Sequence, residues 1–126
     1  MITMPAQAAT TATVPTKFRH TWTQRLKSVS DPRYSKLTKH SIDAGSKGFH
    51  HKIAGKDLSV KKASGGWYRI GFAGNANPYD KTAKRQIGGK KVTVLMKKAS
   101  AKSLQTDIFL TGKRTMTYNE SFVNLK

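Results

Sequence analysis

Polar and apolar positions in this chain alternate more often than they recur at helical spacing. In the run KFRHTWT, Phe18, His20 and Trp22 point one way, and Lys17, Arg19 and Thr21 the other. That predicts a strand with one apolar face. A helical stripe through Trp22, Leu26 and Val29 competes with it. Ser30-Asp31-Pro32 reads as a turn or a helix start. Residues 33–56 have few apolar positions (Tyr34, Leu37, Ile42, Phe49, Ile53), with glycine at 45, 48 and 55. They read as a basic loop with one short helix near 33–40.

From residue 57 the alternation is sharper. Leu58 and Val60 alternate with Ser59 and Lys61; after Ser64-Gly65-Gly66, Tyr68, Ile70 and Phe72 share a face opposite Trp67, Arg69 and Gly71. Two alternating runs around a Gly-Gly turn predict a hairpin. Residues 74–90 read as a long polar, basic loop whose Gly, Asn and Pro set the turn. KVTVLMK is the best single strand, with Val92, Val94 and Met96 on one face and Thr93, Leu95 and Lys97 on the other. Its near-continuous apolarity predicts cover on both faces at the centre. TDIFL and KRTMTY around Thr111-Gly112 predict a second hairpin, and Ser121–Leu125 a short edge strand. No repeat of solenoid length is visible. The fold class expected is all-β: a small sandwich or barrel of five to seven short antiparallel strands with long basic loops.

Residues 1–16 stand apart. They carry no charged side chain, are rich in Thr and Ala, and are bracketed by Pro5 and Pro15. An extended arm is expected there, with a single basic β-rich domain over 17–126. The arm has neither the basic n-region nor the apolar h-region of a secretory signal. The acid-free, Thr/Ala-rich bias of residues 1–30 is shared by organelle transit peptides. The first basic residue is Lys17, however, and no Arg-bearing amphipathic face precedes it, so the arm is read as part of the working protein.

Charge changes the picture most. The chain of 126 residues holds 24 Lys plus Arg against 6 Asp plus Glu, a formal net charge of +18. Spread over a folded surface of roughly 6,700 Å², that is one net positive charge per about 370 Å². A lone soluble domain needs a net charge of only about 2–8 for solubility. Such an excess seeks a polyanion. Cysteine is absent, which excludes disulfides, thiolate metal sites and thiol catalysis. No apolar stretch approaches the roughly 20 residues that span a bilayer. No basic amphipathic helix or lipidation motif points to a membrane surface either, so no membrane partner is expected.

Candidate chemistry is sparse. His50-His51, with His20 and His40 upstream, lacks a carboxylate at ligand spacing, and adjacent strand residues face opposite sides, so no metal is expected. Six scattered acids and serines without a nucleophile elbow argue against an enzyme. Gly71-Phe72-Ala73-Gly74 and Gly88-Gly89-Lys90 lack dinucleotide or phosphate-loop spacing and read as turns; no cofactor is expected.

The basic clusters are the best functional signal. The candidate nucleic-acid contacts are Lys17, Arg19, Arg25 and Lys27; Arg33, Lys36 and Lys39; Lys61, Lys62 and Arg69; Lys81, Lys84 and Arg85; Lys90 and Lys91; Lys97 and Lys98; and Lys113 and Arg114. Most are expected in loops or at strand ends. Lysine predominates, and lysine acts as a mobile point charge, whereas arginine supplies bidentate forks; phosphate neutralisation is therefore expected ahead of base reading. Trp22, Trp67, Tyr68 and Tyr79 lie beside basic residues and are candidates for base stacking, although a core or interface role for the two tryptophans comes first. WYRIGF does not carry the aromatic-Gly-aromatic pattern of an RRM, and no GXXG loop sits between two helices.

The expected function is structural, within a large nucleic-acid-containing assembly. The setting favoured is a virus or phage particle assembled in the host cytoplasm. There a capsid or virion protein would neutralise the genome, DNA or RNA, with its lysines and join other copies of itself through the uncharged arm. A ribosomal protein, organellar ones included, is the alternative, although an extension threading among RNA phosphates would be basic. A free-standing nucleic-acid-binding regulator ranks lower because it would want an arginine-rich reading surface.

Overall fold

A computed structural model describes residues 12–74 and 77–125. Among these residues ten strands form one antiparallel sheet: β1 (Thr21–Gln24), β2 (Arg33–Thr38), β3 (Ser41–Ser46), β4 (Phe49–Ala54), β5 (Leu58–Lys62), β6 (Tyr68–Phe72), β7 (Tyr79–Ile87), β8 (Lys90–Lys98), β9 (Gln105–Leu110) and β10 (Phe122–Asn124). The order is β4-β3-β2-β1-β9-β8-β7-β6-β5, with β10 beside β9. The sheet curls into a nearly closed barrel. Leu37 and Ile42 from one end thereby share a core with Leu58 and Ile70 from the other. The all-β expectation holds, with more strands than the five to seven anticipated.

Two segments read as loops are strands. Residues 33–56 form β2, β3 and β4, with no helix near 33–40. They look polar because their inward positions include Ser35 and Ala44 beside Leu37 and Ile42, while Lys36 and Thr38 face solvent. Gly45 does not break β3; its φ of 138° lets the chain approach Phe49, and a Cβ there would collide with the Phe49 carbonyl oxygen. Residues 79–87 form β7, paired along its whole length with β8. The connecting residues Gly88 and Gly89 both have positive φ, as the favoured two-residue hairpin turn requires.

The hairpin of β5 and β6 forms as expected, and β10 pairs with β9 as the short final strand. The hairpin expected across Thr111-Gly112 does not form. Both edges of β9 are already occupied, by β8 on one side and by β10 and β1 on the other. The chain instead crosses the outer face, where the Met116 amide donates to the Arg25 carbonyl at 2.8 Å.

The centre of β8 is covered on both sides, as its apolar run predicts. Leu95 joins Phe109, Trp22 and Phe18 inside the barrel. Val94 and Met96 join Ile108, Leu110 and Met116 in a second core on the outer face. The C-terminal segment therefore roofs the outer face of β8 and β9.

Of the expected arm, residues 1–11 lie outside the described residues. Its C-terminal end does more than link: Val14 is fully buried, and its amide donates to the Lys39 carbonyl at 2.9 Å. Phe18 ends a 3-10 turn instead of a strand, but it and Trp22 are both buried, while His20 is exposed.

Candidate nucleic-acid interface

Strand parity places the basic residues on two different faces. Inside the barrel, Asp80, Lys97 and Asp107 face one another across β7, β8 and β9. Asp80 is fully buried, and Lys97 Nζ lies 2.9 Å from its Oδ1. Neither Asp80 oxygen has a hydrogen bond of good geometry. Burial pushes the Asp80 carboxyl up from its ordinary value, and the Lys97 ammonium opposes that. Asp107 also takes Arg33 at 3.2 Å. This interior row alternates in sign and compensates itself.

The outer row does not. Lys61 faces Arg69, Arg69 faces Tyr79, and Tyr79 faces Lys98, across β5, β6, β7 and β8. At about 4.8 Å per strand, the row runs about 14 Å. The Arg69 guanidinium lies 5.3 Å and Lys98 Nζ 5.5 Å from the Tyr79 ring centre. Trp67, just before β6, lies on the same side, with Lys98 Nζ 4.2 Å and Lys81 Nζ 5.6 Å from its ring. Parity adds Arg85 to this face through β7. No acid stands in the row, and Arg69 Nε is buried without a hydrogen-bond partner. Like charges directly opposite, as in Lys61 and Arg69, are destabilising in a sheet.

The scarce acids are committed elsewhere. Asp31 accepts from the Lys47 and Gly48 amides, both at 3.0 Å, and holds the β3–β4 turn. Those amides, Gly48 foremost, together with the Ser46 side chain, lower its carboxyl below the usual range. Glu120 accepts from Thr117 N at 2.9 Å and Gly88 N at 2.8 Å, which lowers it likewise. Asp43 takes His50 Nδ1 at 2.7 Å. With Asp80 and Asp107 inside, most of the carboxylates tie turns and strands together and leave the outer row uncompensated.

The other candidate cations are dispersed. Lys17 Nζ sits 5.1 Å from the Tyr68 ring, and Arg19 Nε donates to the Val14 carbonyl at 2.8 Å. Arg25 lines a depression with Asp31 and Tyr34, and Lys27 lines another beside Met116 and Tyr118. Lys36, Lys39, Lys62, Lys84, Lys90, Lys91 and Lys113 are exposed singly or at turns. Arg114 Nη1 donates to the Ile87 carbonyl at 2.7 Å. Lys97 points inward to Asp80 and does not belong to the outer face, although its neighbour Lys98 does. Trp22 is a core residue whose Nε1 donates to the Phe18 carbonyl, whereas Trp67 is half-buried under Lys98.

Two depressions flank the row. One, of about 200 Å³, is lined by Ser59, Lys61, Arg69, Gly74 and Asn77. The other, of about 340 Å³, is lined by residues that include Trp67, Lys98, Lys102, Leu104 and Leu125. Lys102 and Leu104 carry no signal in the sequence that singles them out. The signal that finds the face is the alternation Tyr79, Lys81, Ala83, Arg85, which becomes readable once residues 79–87 are a strand.

The histidines do not converge: His40 contacts the Ala12 carbonyl and His51 packs edge-on against Phe49. Among the described residues no group of three His, Asp or Glu side chains is placed to hold a metal ion, and no helix is long and apolar enough to cross a membrane. No protein-family model, curated protein or solved structure matches the chain.

Proposed function

We propose that the protein binds the phosphate backbone of nucleic acid as a structural component of a large assembly. One observation carries this reading: the acid-free outer row Lys61–Arg69–Tyr79–Lys98, bare beside a roofed β8–β9 face. A folded surface that keeps like charges opposed and commits its carboxylates elsewhere is suited to receive a polyanion. The virus or phage particle is the favoured setting, because the uncharged stretch 1–16 suits contacts between subunits better than passage among phosphates.

The test is a titration with two unrelated nucleic-acid sequences across a salt series. Equal affinities and a steep salt slope are expected. Changing Lys61, Arg69 and Lys98 together to Gln lowers the slope by about 0.7–0.9 for each phosphate that is no longer neutralised. A shallow slope, or a strong preference for one sequence, refutes the reading. Purified native assemblies decide the setting: many identical copies support the virion, and one copy amid ribosomal RNA overturns it.

A further inference from the structure

Resting on that reading, we infer that the groove beside Trp67 takes an unpaired nucleobase, so the outer face holds single strands in preference to duplex. The two depressions flanking the row differ in chemistry. The one at Lys61 and Arg69 is polar, with the Ser59 hydroxyl and two cations, and fits a phosphate. The one at Trp67 has the indole, Leu104 and Leu125 as apolar walls, with Lys98 and Lys102 on its rim. Its volume of about 340 Å³ reaches the range of small-molecule sites, which begins at about 300 Å³.

Leu104 is 77% exposed and Trp67 only half-buried, so this apolar wall stands open to solvent beside Lys98 and Lys102. A purely apolar partner would not need a rim of lysines. A base joined to phosphates satisfies both the wall and the rim. Lys98 ends the phosphate row and also covers the indole at 4.2 Å, so it links the two depressions. Bases in a duplex are stacked on each other and present no free face to such a groove.

Trp67 supplies its own reporter. The chain has two tryptophans, and Trp22 is buried in the barrel core, so nucleic-acid quenching of tryptophan fluorescence reads Trp67. The probes are oligo(U), oligo(dT), an abasic deoxyribose-phosphate oligomer of equal length, and a blunt duplex. Expected are quenching by oligo(U) or oligo(dT), and binding of the better of the two about 5- to 150-fold tighter than the abasic strand. The better of the two names the nucleic acid. Leu104→Ser, at an exposed position, and Trp67→Ala remove most of that advantage without changing abasic affinity, and Trp67→Phe keeps most of it. Equal binding of base-bearing and abasic strands without quenching overturns the base site and leaves the phosphate reading standing. Failure of every probe to bind at low salt overturns both.

Discussion

Replacing Lys97 by methionine strands a carboxylate inside the barrel. Asp80 is fully buried, its charge is met by Lys97 Nζ at 2.9 Å, and no hydrogen bond of good geometry supports either oxygen. At that separation, with an effective dielectric of about 20, the pair attracts by about 6 kcal/mol. The variant does not lose all of this, because the carboxyl escapes by taking a proton. Against an unfolded pKa of about 3.9, neutralisation at pH 7 costs about 4 kcal/mol, and about 1.5 kcal/mol at pH 5. The expected loss is therefore about 3–4 kcal/mol at pH 7, shrinking as pH falls.

The sign follows from the raised native pKa. Without Lys97 only burial acts on Asp80, so the native variant holds the proton that its unfolded chain releases. Stability is full below the unfolded value and is lost as pH rises through the native one. Urea unfolding at pH 5, 6 and 7 reads the effect. The double variant Asp80→Asn/Lys97→Met removes the carboxylate, so its stability no longer follows this pH trend and recovers much of the loss at pH 7. A Lys97→Met loss below about 1 kcal/mol, equal at pH 5 and pH 7, refutes the buried-pair argument.

Two further outcomes follow from the turns. Gly45→Ala places a Cβ against the Phe49 carbonyl at a positive φ; a destabilisation of about 1–3 kcal/mol is expected, measured by the denaturation midpoint, and a neutral result would show that β3 and β4 can separate at no cost. Asp31 and Glu120 have carboxyls lowered by backbone amide donors, so the stability they confer is present above their ordinary values and lost as pH falls through the lowered ones. Melting temperature followed from pH 6 to pH 3 should fall less steeply in Asp31→Asn and Glu120→Gln than in the parent, and parallel curves would count against these caps.

The legible part of the fold is where alternation is written in strongly apolar residues. Leu58, Val60, Tyr68 and Ile70 mark the β5–β6 hairpin, and Val94, Leu95 and Met96 mark a strand covered on both sides. The strands β2, β3, β4 and β7 were hidden because a barrel wall needs few apolar side chains where its outer face is wet and its inner positions include Ser35, Ala44 and Asp80. Those strands are held in tight hairpins with neighbours next to them in the chain, so their local mark is the turn between them and not an apolar stripe. Cations at Lys97 and Lys98 look equivalent in the chain, yet one is spent on Asp80 and the other faces outward over Trp67.

Composition and alternation by themselves determined that this is an all-β chain with a large uncompensated positive charge, because residue type sets charge and β-propensity without reference to distant neighbours. Only the tertiary structure decided where that charge acts. Sheet register, with its period of two, turned Asp80 and Asp107 into the barrel and left Lys61, Arg69 and Lys98 in one row beside an open indole.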